Sequence, residues 1–139
     1  MIEGSKFVKI VEDFFTFLGK EFKFKLQEEE IRGNAFYDIQ YRDKSKIVSI
    51  SYENIEDYLQ VIVFMLQNGE LPHYDDKTKT LHLNKLTAAI LPKVGKSEIL
   101  TNNEYFSKFQ INDEFERKLL KSAKELRLCL KHFDKIGDV

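Results

Sequence analysis

The fold is decided by two neighbouring stretches, Ala35-Phe36-Tyr37-Asp38-Ile39-Gln40-Tyr41 and Ile47-Val48-Ser49-Ile50-Ser51-Tyr52, separated by the polar break that begins Arg42-Asp43-Lys44-Ser45. Successive side chains of a β-strand point to opposite faces. Ala35, Tyr37, Ile39 and Tyr41 therefore share one face opposite Asp38 and Gln40, while Val48, Ile50 and Tyr52 turn inward and Ser49 and Ser51 outward. The break between them is short enough for a hairpin loop. Upstream, Phe22, Phe24 and Leu26 alternate with Lys23, Lys25 and Gln27, ahead of Glu28-Glu29-Glu30 and the Gly33-Asn34 turn signal. Three alternating segments in a row predict an antiparallel meander.

Working outward, Phe7, Val11, Phe14 and Leu18 follow a 3.6-residue period, with further apolar residues beside them. An amphipathic helix over residues 6–18 is expected, closed by Gly19 as a left-handed cap and laid against a sheet. Tyr58 to Leu66 is apolar on both parities. A helix capped by Asn54 fits that stretch, but the β-branched run Val61-Ile62-Val63 favours a fourth strand. Asn68-Gly69 marks a turn, and the polar segment His73–Lys79 reads as a mobile stretch or a hairpin tip. Leu83 to Leu91, stopped by Pro92, is a short helix with Asn84 as a possible cap; residues 93–111 stay ambiguous. Asn112-Asp113-Glu114 then opens a long helix in which Phe115, Leu119, Ala123, Leu126, Leu130 and Phe133 form one continuous stripe. The expectation is a single α+β domain over residues 1–139: an N-terminal amphipathic helix, a meander of about four strands, short helices, and a long C-terminal helix packed on the sheet.

Length and composition narrow the function. With 139 residues a chain can bury one substantial core. Twenty-two Lys and Arg stand against 23 Asp and Glu, a balance without the excess of positive charge that nucleic-acid binding draws on. The longest apolar run, Val61 to Leu66, is far shorter than a bilayer span, and the acidic N-terminus does not read as a secretory signal. One cysteine, Cys129, cannot form an internal disulfide. A cytoplasmic protein without nucleic-acid or membrane partners is expected.

No catalytic residue, cofactor or metal is assigned from the sequence. The histidines His73, His82 and His132 lack zinc-ligand spacing, Cys129 falls beside the apolar stripe, and the six glycines make no phosphate-binding loop. His73-Tyr74-Asp75-Asp76 is the one loop cluster with acid–base groups; it reads either as a ligand site or as an ordinary Asp-stabilised turn. Glu28, Glu29, Glu30, Glu53, Glu56 and Asp57 could form an acidic face at one end of the meander, attracting a cationic partner or guarding a strand edge. Phe36 lies opposite Tyr37, Ile39 and Tyr41 in strand parity, so it places an aromatic on the second face of the sheet. Either later helices or a partner cover it. The candidate binding residues are thus Glu28, Glu29, Glu30, Phe36, Tyr41, Glu53, Glu56, Asp57, His73, Tyr74 and Asp75.

The run Phe14-Phe15-Thr16-Phe17-Leu18-Gly19-Lys20-Glu21-Phe22-Lys23, followed by Tyr37-Asp38-Ile39-Gln40-Tyr41 and Ile47-Val48-Ser49-Ile50-Ser51-Tyr52, resembles small bacterial immunity proteins of polymorphic toxin systems over about residues 7–66. That resemblance implies a non-enzymatic protein that binds and blocks a cognate toxin, and it transfers no functional residue. Two other expectations stand beside it: a secretion-chaperone-like homodimer, and a small-ligand-binding protein or enzyme using the His73–Asp76 loop. The molecule would be a monomer or a homodimer.

Overall fold

Phe7, Val11 and Phe14 recur on one side of a helical period, and α1 (Gly4–Phe14) buries all three. The structure, a computed structural model, describes residues 2–137. The chain divides into two compact units, Met1–His82 and Leu83–Val139.

In the first unit the helix expected over residues 6–18 is broken in two. The Thr16 hydroxyl donates back to the carbonyls of Glu12 and Asp13, a bond that competes with helix continuation. A second helix, α2 (Phe17–Phe22), follows. Gly19 lies inside it, so the left-handed cap expected there falls instead on Lys23, at φ 64°. The Phe24 amide then donates 2.9 Å to the Leu18 carbonyl, closing the turn, and the Phe24 ring is buried. Burying a Phe is worth about 1.5–3 kcal/mol. This exceeds the roughly 1–2 kcal/mol that a left-handed backbone costs a residue with a Cβ. The strand expected from Phe22 accordingly starts later, at Lys25.

Five strands follow in sequential antiparallel order: β1 (Lys25–Arg32), β2 (Phe36–Arg42), β3 (Lys46–Glu53), β4 (Tyr58–Met65) and β5 (Thr80–His82). Residues 58–65 are strand, and β5 extends the expected four-stranded meander by one short member. After β4, Gln67 and Glu70 exchange both backbone bonds around Asn68 (φ 54°) and Gly69 (φ 79°). Two left-handed residues in that position match the twist of a tight hairpin.

Register divides the sheet into two faces. On the first, the cross-strand rows are Ile31–Tyr37–Tyr52–Leu59, Glu29–Ile39–Ile50–Val61 and Leu26–Tyr41–Val48–Val63–Leu81. This face meets α1: the Phe7 ring lies 5.3 Å from Tyr37 and 6.2 Å from Tyr52, centre to centre. The approach is close enough that a Cβ on Gly4 would sit 3.0 Å from Ile31 and 3.1 Å from Tyr37. The second face carries Arg32–Phe36–Glu53–Tyr58, Glu30–Asp38–Ser51–Gln60 and Glu28–Gln40–Ser49–Ile62–His82. Ser49 and Ser51, expected to be wet, do point to this face but are buried. Burial of the Ser49 hydroxyl is tolerated because it donates 2.6 Å to Asp38 Oδ1, while Gln40 donates 2.9 Å to Asp38 Oδ2.

Asn54, considered in sequence as a helix cap, is instead a buried tie point. Its Oδ1 accepts from the Ile2 amide at 3.2 Å. Its Nδ2 donates to the carbonyls of Ile2 (2.9 Å) and Asn34 (2.6 Å) and to the Tyr37 hydroxyl (3.0 Å).

The second unit is helical. α3 (Leu83–Ile90) starts one residue before the expected cap Asn84 and ends ahead of a single 3₁₀ turn containing Pro92. α4 (Lys96–Tyr105) resolves most of the ambiguous stretch. α5 (Glu114–Lys131) is capped by Asp113, whose carboxylate accepts the Glu116 amide at 2.9 Å, and it buries Leu119, Ala123, Leu126 and Leu130 as the stripe predicts. α5 packs on α3 and α4.

Two substitutions test this framework in urea unfolding. Phe7→Ala, which empties a fully buried ring site, is expected to cost about 3–5 kcal/mol. Asn54→Ala, which strands buried backbone and hydroxyl groups, is expected to cost about 1–3 kcal/mol.

Candidate acid-rimmed aromatic surface

In a meander, alternate turns fall at the same end of the sheet. The β1–β2 turn (residues 33–35) and the β3–β4 turn (residues 54–57) are such a pair, and the row Arg32–Phe36–Glu53–Tyr58 runs between them on the second face. The Arg32 guanidinium lies over the Phe36 ring, 5.2 Å from its centre, and bonds the Glu30 carboxylate. In the β3–β4 turn, Asp57 adopts φ 49° and its carboxylate accepts the Tyr52 hydroxyl. Burial and the Asp57 carboxylate both push the Tyr52 hydroxyl far above the usual phenol range, so it stays protonated and holds the turn. That turn projects Ile55, 75% exposed, beside Tyr58, 53% exposed. Phe36, Ile55 and Tyr58 therefore stand at one end of the sheet among Glu30, Glu53, Glu56 and Asp57.

The candidate residues named from sequence separate into three places. Glu30, Phe36, Glu53, Glu56 and Asp57 belong to this end, with Glu28 further along the same face of β1. Glu29 and Tyr41 lie on the opposite, α1-facing side. There Glu12 of α1 and Glu29 share a hydrogen bond; burial first, then the Glu29 charge, raises the Glu12 carboxyl above its usual value. Burial with the same two carboxylates pushes Tyr41 up to about 12. His73, Tyr74 and Asp75 lie in the β4–β5 connection. The turn there is held by Asp76, whose amide donates to the His73 carbonyl and whose Oδ1 accepts the Thr78 amide (3.0 Å) and hydroxyl (2.6 Å). The Thr78 hydroxyl bond leads in holding the Asp76 carboxyl below its usual range. Tyr74 meets His82 edge-on at 6.2 Å, and His82 Nδ1 is 3.1 Å from Gln60 Nε2.

Sequence reading missed Ile55 and Arg32 and did not include Tyr58 among the site residues. An isoleucine between Asn54 and the Glu56-Asp57 pair, inside a turn, was the available signal.

Burial, with a smaller push from the Glu125 charge, raises the Cys129 thiol to about 12, which makes it a packing residue and a poor nucleophile. Among the described residues no group of three or more His, Cys, Asp or Glu is placed to hold a metal ion, and no helix is long and apolar enough to cross a membrane. No protein-family model matches the chain, and no curated protein or solved structure matches it significantly.

The Glu12–Glu29 contact sets a pH dependence. A raised folded value means that the folded chain binds the proton more tightly. Stability therefore falls as pH climbs from the ordinary carboxylate value of 4.5 through the raised one. Glu12→Gln removes that loss. At pH 7 a rise in Tm of about 1–2 °C is expected, small because the site is mostly solvated, together with a flatter Tm profile just above pH 4.5, read by thermal melts.

Proposed function

We propose that the chain is a non-enzymatic protein-binding module: a bacterial immunity-type inhibitor that acts in the cytoplasm on a basic protein partner such as a cognate toxin. The observation that carries this reading is the exposure of Ile55 and Tyr58 beside the half-buried Phe36 at one end of the sheet, the end that also carries Glu30, Glu53, Glu56 and Asp57. Aromatic and aliphatic side chains supply binding energy when a partner desolvates them. The surrounding carboxylates steer a positively charged surface towards them and discriminate against acidic ones. The same rim disfavours a second copy docked about a two-fold axis through this patch, since it would bring equivalent carboxylates face to face.

Co-expression with the product of the neighbouring gene tests the reading. The wild-type chain is expected to relieve that product's growth inhibition and to co-purify with it. The double variant Ile55→Ser/Tyr58→Ala is expected to bind about 30-fold or more weakly while keeping its circular dichroism. Glu53→Lys is expected to slow association, most strongly at low salt. Undiminished affinity in the folded double variant, or turnover of a small substrate by the purified chain, would overturn the proposal.

A further inference from the structure

β1 is the outermost strand of the sheet. It pairs with β2 along one side, and among the described residues the strand order places no neighbour on the other. A strand in that position presents alternate N–H and C=O groups outward, the template on which another strand pairs. The opposite edge, β5, is only three residues long. On β1, eight residues long, Leu26 remains 50% and Ile31 48% exposed although both point to the face that α1 covers. Their cross-strand partners on β2 are Tyr41 and Tyr37.

Between these two residues lie Glu28, Glu29 and Glu30, the first and last on the second face and the middle one beside Leu26 and Ile31. A second copy pairing antiparallel about the strand centre would set Glu28 against Glu29, or Glu29 against its own equivalent. Like charges directly opposite are destabilising. Carboxylates alone would be accounted for as protection of the edge, but half-exposed Leu26 and Ile31 would not. On the second face Glu28 and Glu30 stand between Lys25 and Arg32, the latter bonded to Glu30, and on the first Glu29 stands between Leu26 and Ile31, so the middle of the edge is acidic and its ends are basic or apolar. An extended chain with cations at its centre and apolar side chains towards its ends complements that order.

Resting on the protein-binding reading above, we propose that β1 accepts an extended segment of the basic partner by strand addition. That segment would place Lys or Arg at two alternate positions opposite Glu28 and Glu30 and apolar side chains beside Leu26 and Ile31. Arg32, at the end of β1, limits the register, because a two-residue slip towards it sets a cation against a cation. The register shift between Leu26 and Glu28 confines regular pairing to Glu28–Arg32.

The test uses the full chain labelled with ¹⁵N and three eight-residue peptides of Val and Thr: an alternating Lys-Val peptide with Lys at only its two central alternate positions, a block peptide of the same composition with the two Lys adjacent at one end, and a Glu-Val peptide with Glu in place of each Lys of the first. The alternating Lys-Val peptide is expected to slow amide exchange within Glu28–Arg32 and to bind at least about ten-fold more tightly than the block peptide. Glu28→Lys/Glu30→Lys is expected to transfer the preference to Glu-Val. The milder Glu28→Gln/Glu30→Gln, checked for intact fold, is expected to weaken the Lys-Val peptide. Equal binding of the block peptide, protection confined to other strands, or a preference that survives charge reversal would overturn the proposal. Failure here with Ile55- and Tyr58-dependent binding of the neighbouring gene's product retained removes the edge and leaves the module. Peptide binding at β1 without binding of that product supports the edge and rejects the partner assignment.

Discussion

A single side-chain amide holds the first unit in register with itself. Asn54 leaves β3 at the point where the chain start, the β1–β2 turn and the Tyr37 hydroxyl converge, and it bonds to all three. Its own amide donates 2.9 Å to the Ala35 carbonyl, and the Tyr37 hydroxyl donates 2.8 Å to the Ile2 carbonyl. Buried amides are costly unless paired, so this arrangement is satisfied in one geometry and penalised in others. Fixing Ile2 fixes where α1 begins. Gly4 can then approach Ile31 and Tyr37, and Phe7 reaches the rings of Tyr37 and Tyr52.

With one sheet face taken by α1, the second becomes the place where polar and charged groups must be reconciled. Asp38 does this at the centre by accepting from Ser49 and Gln40. At the turn end no such closed set forms: Arg32 covers part of Phe36, while Ile55 and Tyr58 remain open to solvent. The same division recurs in the helical unit. There Arg127 donates 2.7 Å to the buried Asn102, Asn102 donates 3.0 Å to the Lys124 carbonyl, and the Arg127 guanidinium stacks 3.9 Å from the Tyr105 ring centre. His132 bonds Glu98, and that contact holds the Glu98 carboxyl below its usual range. These polar ties join α4 to α5 by direction where apolar packing alone would leave sliding cheap.

The candidate surface was only partly legible, and β1 shows why. Counting alternate residues from Leu26 puts Glu28 and Glu30 on the Leu26 face. The irregularity after Leu26 inserts one residue and moves Glu29 and Ile31 onto that face instead. Which carboxylates stand beside Phe36 and Glu53 therefore depends on a local bulge that parity cannot see. Ile55 escaped for a related reason, since turn residues carry no periodicity. Asn54 misled because a side chain suited to a helix cap suits any converging set of backbone groups, and its partner Ile2 is 52 residues away.

The sequence by itself determined the α+β class, the meander from Ala35 to Tyr52 and the α5 stripe with a cap among Asn112-Asp113-Glu114, and it favoured strand over helix at Val61-Ile62-Val63, because these rest on interactions between near neighbours and on the periods of helix and strand. Only the tertiary structure decided where α1 ends, which residue takes the left-handed turn, that the serines of β3 are buried, and which exposed apolar residues meet the acidic rim. Those outcomes are set by contacts between residues far apart in the chain, where burying Phe24 or satisfying Asp38 outweighs the local preference of Gly19 or of a serine.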